Sequence, residues 1–525
     1  MMTCAEAVAD VLAQCGPGVL FGYPGAHTVK LHAALARQRS LRHVLVRHEQ
    51  GAAFAADGYA RVSGAPGAFL TTAGPGATNA LTAVAESFTN SVPVVHLCCL
   101  VDRPFVGKML GAWHEADVEA IFRPVVKWSA TARDADEAPR LVQQAFREAR
   151  TGRPRPTQIC LPRDLLMEPA AAPSPSPPTP PLAPAPQSVR DAAEALRACE
   201  RPVILAGGGA VAASAEVRAL AAGLGAGVAT TCMGKGVFPE DDPLSLGVSF
   251  SNAGTMALGE ADLCLAVGCR FTQIATRHWS TSVPENLIHI DIDPSVIDLH
   301  YPARVPLVAD AALALRALLE EVVGPAPQRG AWRARLSELR RADRQATDQD
   351  SGLCRRLRGA IPREAVVVGD VAGLLFRMFS CFDTYDRASF LYPSGYIAMG
   401  YGLPAAIGAQ LARPDATVVC LAGDGGFAMS MMELATVVQE ALPVKVILLN
   451  NECLGSIAHF AGDDLPALQQ VVRLRNPDFS ALAAAYGLPA ECVDAADGPR
   501  LDAQLRWLLR QEGPALLEVK LGHGA

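Results

Sequence analysis

Two short apolar runs, Thr417–Ala422 and Val444–Leu449, both stop at residues that offer oxygen or no side chain at all. Gly423-Asp424-Gly425-Gly426 follows the first and Asn450-Asn451 the second. Both runs are β-branched and apolar, as strands buried on both faces of a parallel sheet must be. Between them Met431, Leu434, Val438 and Ala441 recur at helical spacing. The stretch therefore predicts a βαβ unit of about thirty residues. Such a unit brings Asp424 and Asn451 to the carboxyl ends of neighbouring strands, where open α/β sheets bind ligands. Asp424 offers a hard carboxylate oxygen, Asn451 an amide carbonyl oxygen, and Gly425 and Gly426 let the backbone approach a phosphate. Mg²⁺ takes such a set, one or two protein oxygens with the rest from phosphate and water. Asp-Gly alone is an ordinary turn and Asn-Asn an ordinary strand end. Their combination on one βαβ unit is what predicts a metal–diphosphate site.

The spacing resembles the diphosphate-binding motif of thiamine-diphosphate (ThDP) enzymes, Gly-Asp-Gly followed about two dozen residues later by Asn-Asn. That resemblance implies Mg²⁺ held by Asp424, Asn451 and the main-chain carbonyl of Cys453, with Gly423, Gly425 and Gly426 beside the diphosphate.

Size and composition agree with a large soluble α/β protein. The 525 residues suffice for about three domains. With 50% hydrophobic and 19% charged residues the chain can bury large cores. A net charge of −7 leaves no basic patch, which disfavours nucleic acid as a partner. Fourteen cysteines are scattered without a CxxC pair, and Cys98-Cys99, in an apolar run, read as buried thiols, in keeping with a reducing compartment. The start, MMTCAEAVADVLAQCG, lacks the basic opening and continuous apolar core of a signal peptide and reads as an amphipathic helix ending at Gly16. No apolar run reaches the roughly eighteen residues that span a bilayer. A soluble cytoplasmic protein with no membrane partner is expected.

Three consecutive parallel-sheet α/β domains are predicted. Residues 1–167 alternate strands (Gly18–Gly22, His43–Val46, Ala68–Thr72, Val92–Leu97) with helical stretches. Residues 168–188, EPAAAPSPSPPTPPLAPAPQS, are a Pro-rich linker expected to be extended. Residues 189–325 repeat the pattern, with strands at Val203–Ala206, Leu263–Val267 and Leu287–Ile292. Residues 326–358 are charged and helical and read as a connector, and residues 359–525 carry the metal motif. The order matches the pyrimidine-binding, central and diphosphate-binding domains of the ThDP family.

RHEQGAAFAADGYAR (Arg47–Arg61) and TTAGPGATNAL (Thr71–Leu81) resemble the pyrimidine-domain segments of acetolactate synthases, the large-subunit type. The resemblance makes Glu49 the carboxyl group that exchanges a proton with N1′ of the cofactor's aminopyrimidine, so that the 4′-nitrogen can remove the C2 proton. Ser394–Gly408 is similar to a further segment of the same family. There Met399 takes the place of the apolar residue that bends the cofactor, and the carbonyl of Ile397 accepts from its 4′-amino group. In the middle domain, Gly207-Gly208-Gly209 and the text Met233–Gly247 and Leu287–Pro294 resemble the part of acetolactate synthases that binds a non-redox FAD. The stretches Val248–Gly254 and Arg270–Ile274 depart from theirs, which leaves FAD open.

The second-substrate region departs too. Cys453–Phe460 has no Trp, Trp113-His114-Glu115 replaces a Phe-Gln-Glu element, and Tyr23-Pro-Gly-Ala-His27 replaces a Tyr-Pro-Gly-Gly turn. His27 and His459-Phe460 look like benzaldehyde lyase instead. Imidazoles titrate near neutrality, so His27, then His114, then His459 are candidates to move substrate protons. The sequence also stops soon after the strand Ala515–Val519, so a site without a closing tail is expected, which favours simple decarboxylation or a bulkier acceptor.

The resemblance implies a ThDP- and Mg²⁺-dependent 2-oxo acid decarboxylase and carboligase, in which pyruvate loses CO₂ to give an enamine that adds to a second carbonyl compound. A benzaldehyde-lyase-like enzyme or simple 2-oxo acid decarboxylase is the alternative. A flavin or nicotinamide oxidoreductase and a non-catalytic homologue rank last, because neither uses Glu49 together with Asp424 and Asn451. The family also implies a homodimer or homotetramer with each site at a subunit boundary.

Overall fold

The computed structural model describes residues 2–174, 177, 179–322, 329–348 and 352–522. The chain divides into two compact units. One comprises Met1–Thr179, Val366–Gly373 and Leu391–Ala525; the other comprises Pro180–Ala365 and Leu374–Phe390.

The first unit holds two parallel sheets. In the first the strands run in the order Arg42–Leu45, Val19–Gly22, Gly67–Thr71, Val94–Leu100, Thr157–Pro162, Trp128–Thr131. Every neighbouring pair is parallel, so each connection crosses over through a helix. The opening helix, Cys4–Cys15, starts in a capping box between Thr3 and Glu6 and ends at Gly16, as its pattern predicts. Its apolar face, including Val8, Val11 and Leu12, packs in one core with Val142 and Phe146. In the second sheet the parallel strands Val366–Gly369, Val418–Gly423, Lys445–Asn450, Ala515–Lys520 and Ala490–Asp494 lie in that order. The helix predicted from Met431 begins sooner, as Asp424–Ala428, a 3₁₀ turn Met431–Glu433, and Leu434–Gln439. Gly423 is extended and Asp424 opens the first turn, where a carboxylate suits the helix dipole.

Helices Glu49–Ser63 and Gly402–Ala412 pack these two halves together. They approach so closely that a methyl group on Gly58 would overlap the Ala405 carbonyl, and one on Gly408 the Ala55 carbonyl. Only glycine permits that contact. A polar cluster is buried in the same seam: Asp57 binds Arg61 at 2.7 Å and accepts from the Tyr401 hydroxyl at 2.9 Å and from Ser87 at 2.8 Å. Removing one partner of such a buried pair costs about 3–5 kcal/mol, because the other charge is left unpaired.

The second unit is built on a six-stranded parallel sheet ordered Ser245–Val248, Gly227–Thr230, Pro202–Ala206, Leu263–Val267, Leu287–Asp291, Val305–Val308. Helix Gly330–Asp348 covers one face through Trp332, Leu336 and Leu339. Segment Leu374–Phe390 belongs to this unit. It is tied there by Thr384, whose N–H donates to Glu240 at 2.6 Å, and by Lys235, which donates to the Phe379 carbonyl at 3.0 Å. A disulfide between Cys354 and Cys381, with Cα atoms 6.2 Å apart, adds a covalent tie that sequence spacing did not announce. Cys98 and Cys99 are buried free thiols.

The Pro-rich stretch 168–188 is not extended throughout. Pro169–Ala170 keeps the expected extended form, paired antiparallel with Met2–Thr3, but helix Pro186–Ala198 begins at Pro186. Proline suits the first helical position because its missing N–H would lack a partner there anyway. Pro175, Ser176 and Pro178 lie outside the described residues, as do the predicted boundary at 325 and residues 326–328 and 349–351 of the connector. The described remainder of that connector is two helices, Gly330–Asp348 and Gly352–Ala360.

Candidate active site

Strands Val418–Gly423 and Lys445–Asn450 pair in parallel with Gly423 opposite Leu449, so Asp424 and Asn450-Asn451 leave the sheet side by side. Asp424 is 2% exposed. Burial pushes its carboxyl up, opposed by hydrogen bonds from Asn476 and the Gly425 N–H. Asn476 Nδ2 donates to Asp424 Oδ2 at 2.8 Å and to Asn450 Oδ1 at 2.9 Å, and Asn450 Nδ2 in turn donates to Glu518 at 2.7 Å. The first asparagine of the pair is thus a bracket, and the second stands next in the chain with its Oδ1 accepting from the Cys453 N–H at 3.2 Å. The Cys453 carbonyl accepts from the Gly455 N–H at 2.9 Å.

Met399 reaches the same place: a methyl on Gly425 would lie 3.5 Å from Met399 Cε and 2.8 Å from Leu454 Cδ2. Ile397, on the same loop, has φ 59 and is 44% exposed. A β-branched residue in the left-handed region costs about 1–3 kcal/mol and persists only if its surroundings impose it. Two buried carboxylates do so. Glu86 accepts from Ala398 N–H at 2.9 Å and more weakly from Gly395 and Tyr396 N–H, both at 3.4 Å. Asp370 accepts from the N–H groups of Gly400 and Gly402, each at 3.0 Å. Burial pushes the Asp370 carboxyl up to about 6.

The predicted residues Ile397, Met399, Gly423, Asp424, Gly425, Gly426, Asn451 and Cys453 therefore share one loop cluster. Among the described residues no group of three or more His, Cys, Asp or Glu side chains could hold a metal. The cluster instead offers one carboxylate with amide and carbonyl oxygens, a hard donor set that fits Mg²⁺ and does not fit a thiolate- or imidazole-seeking metal.

A second cluster surrounds Glu49, the first residue of helix Glu49–Ser63. Glu49 is buried, and Asn79 Nδ2 donates to its Oε2 at 2.9 Å. His27 is 3% exposed, with Nδ1 3.4 Å from Thr72 Oγ1 and its ring centroid 5.4 Å from those of both Trp113 and His114. Burial, then the Arg163 guanidinium and His114, hold its imidazole below the ordinary range. His114 has φ 65, and its buried Nδ1 has no hydrogen-bond partner among the described residues. His459 is elsewhere, exposed on helix Gly455–Ala461 beside the exposed Phe460. The contacts described for Glu49 and His27 do not reach Asp424 or Met399 within one chain.

In the central sheet the Gly207–Gly209 turn is packed on Gly268, where a side chain on either side would strike backbone. Sequence reasoning missed Asn476, Glu86 and Asp370. The one signal available was Glu86, the single charged residue of helix Leu81–Asn90.

Residues 2–121 match the family described as "Thiamine pyrophosphate enzyme, N-terminal TPP binding domain". Residues 189–318 match its central domain and residues 368–519 its C-terminal TPP binding domain. A "probable 2-ketoarginine decarboxylase" of Pseudomonas aeruginosa is 38% identical, covering 99% of this chain and 94% of that protein. A "probable acetolactate synthase large subunit" of Methanocaldococcus jannaschii is 35% identical over 99% and 92% of the two chains. The acetolactate synthase isozyme 2 large subunit of Escherichia coli is 34% identical over 99% and 96%. With three parallel-sheet domains, each matched in order along the sequence, this chain belongs to the thiamine pyrophosphate enzyme family.

Proposed function

We propose that the protein is a ThDP- and Mg²⁺-dependent 2-oxo acid decarboxylase and carboligase of the acetolactate-synthase type, which decarboxylates pyruvate and joins the remaining two carbons to a second carbonyl compound. The observation that carries this is the buried Asp424 beside Asn450-Asn451 at two paired strand ends, bracketed by Asn476. When bound, ThDP supplies a nucleophilic thiazolium carbon and the electron sink for loss of CO₂. Asp424, Asn451 and the Cys453 carbonyl would hold the Mg²⁺, while Gly423, Gly425 and Gly426 would admit the diphosphate. Met399 would support the cofactor's bend, and the Ile397 carbonyl would accept from its amino group.

Glu49 exchanges a proton with the pyrimidine nitrogen. Its single described side-chain donor, Asn79, holds one oxygen and leaves the other for that exchange. His27, kept neutral by burial, accepts a substrate proton, and the buried Nδ1 of His114 is a second station for it. The family resemblance implies that a second copy completes each site, in a cytoplasmic homodimer or homotetramer. The central unit is where the resemblance would lodge FAD. The chemistry above does not use it, and flavin absorbance of the purified protein decides whether it is carried.

The 2-ketoarginine decarboxylase relative supports a second reading, decarboxylation of a bulkier 2-oxo acid without ligation. One assay separates the two: pyruvate with ThDP and Mg²⁺, following CO₂, acetolactate and aldehyde. Acetolactate as the main product supports the first reading; aldehyde alone, or no turnover of pyruvate, overturns it. Glu49→Gln should abolish turnover and leave cofactor binding nearly intact.

A further inference from the structure

Glu433 is 1% exposed and sits in the 3₁₀ turn nine residues beyond Asp424, yet its partners belong to the elbow that leads into Glu49. Oε1 accepts from the Arg47 N–H at 3.0 Å and the His48 N–H at 3.1 Å. Oε2 accepts from the Arg47 N–H at 3.2 Å and from the Thr436 hydroxyl at 2.6 Å. The same hydroxyl lies 3.3 Å from the Leu45 carbonyl, and the Arg47 guanidinium spans from that carbonyl, at 3.0 Å, to Gln439 Oε1, at 2.7 Å. The carboxylate also presses on the helix that Glu49 opens, so closely that a methyl on Gly51 would overlap Glu433 Oε1. The N–H groups of Arg47 and His48 and the Thr436 hydroxyl converge on Glu433, and a carboxylate can take all three at once, since it accepts only and has about four lone-pair sites.

We propose that Glu433 is a positioning residue for Glu49, fixing from the diphosphate-binding half the backbone elbow from which Glu49 projects. The proposal rests on the role assigned to Glu49 above. Packing alone needs no charge at this position, whereas a proton-exchanging carboxyl must be held to a fraction of an ångström. Gly51 has its own part: it leaves room for the carboxylate in a helix where alanine would otherwise be the better residue.

Two variants test this, Glu433→Gln and Gly51→Ala. The second keeps the carboxyl group and raises helix propensity, so a loss cannot come from a weakened helix. Amide hydrogen exchange of the cofactor-free protein should quicken at Arg47 and His48 by about tenfold or more in both variants. With ThDP and Mg²⁺ added, exchange of the cofactor's C2 proton in D₂O, read by NMR, should slow about 100-fold. The half-saturating ThDP concentration should stay within about twofold. C2 exchange and elbow protection like the unaltered protein's in either variant would overturn the proposal, as would a loss explained wholly by weaker ThDP binding. Glu49→Gln separates the two levels. If it leaves C2 exchange unchanged, the role of Glu49 fails; if it slows exchange and the two test variants do not, only the role of Glu433 fails.

Discussion

The side-chain amide of Asn476 joins Asp424 to Asn450, donating at 2.8 Å to the carboxylate of the first and at 2.9 Å to the amide oxygen of the second. With the Gly425 N–H, which donates to the other carboxylate oxygen at 3.0 Å, this nitrogen orients the carboxylate across the two strand ends. Groups that orient a metal ligand typically matter 10–100-fold in metal affinity. Asn476→Leu should therefore raise the half-saturating Mg²⁺ concentration about 10–100-fold. Titration of ThDP binding against Mg²⁺ checks it, and an unchanged midpoint would remove Asn476 from the site.

Asp370 supplies a pH signature. Its carboxyl is raised to about 6 by burial, so the folded protein holds a proton that the unfolded chain releases near the usual carboxylate pKa of about 4. Stability from this group therefore falls as pH rises from about 4 to about 6, by roughly 3 kcal/mol in all. Asparagine cannot titrate. In urea unfolding, the stability of Asp370→Asn relative to the unaltered protein should shift toward the variant by about that amount between pH 4 and pH 7. A difference that is flat with pH would contradict the assignment.

The strands, the helix ending at Gly16 and the grouping of Asp424 with Asn451 were legible because each depends on neighbours in sequence, on apolar runs and on where they stop. What escaped was carried by long separations. Asn476 reaches back 52 residues to Asp424, Glu433 acts on Arg47 across 386, and Glu86 on Ala398 across 312. No local pattern marks a carboxylate whose donors are backbone N–H groups of a distant loop. The proline-rich stretch misled for the opposite reason: composition hid that Pro186 stands at a helix start, where proline is welcome.

His27 should be neutral where the enzyme works. Burial and the Arg163 guanidinium hold its imidazole below the ordinary value near 6.5, while Asp102, which grips Arg163 at 2.6 and 2.8 Å, opposes them. If His27 accepts a substrate proton, kcat/KM falls as pH drops through this lowered pKa. Arg163→Met removes the depressing charge and frees Asp102, so the acid limb should move to higher pH. Asp102→Asn should move it lower. The pH profiles of the two variants check this, and shifts of the same sign, or none, would contradict it.

Every role proposed above depends on Asp424 anchoring ThDP through Mg²⁺. Calorimetric titration of the purified protein with ThDP measures this most directly, with and without Mg²⁺ and with Asp424→Ala alongside. Binding should require Mg²⁺ and weaken at least 100-fold in the variant, about 2.7 kcal/mol or more. Binding of equal strength without the metal, or in Asp424→Ala, would contradict it.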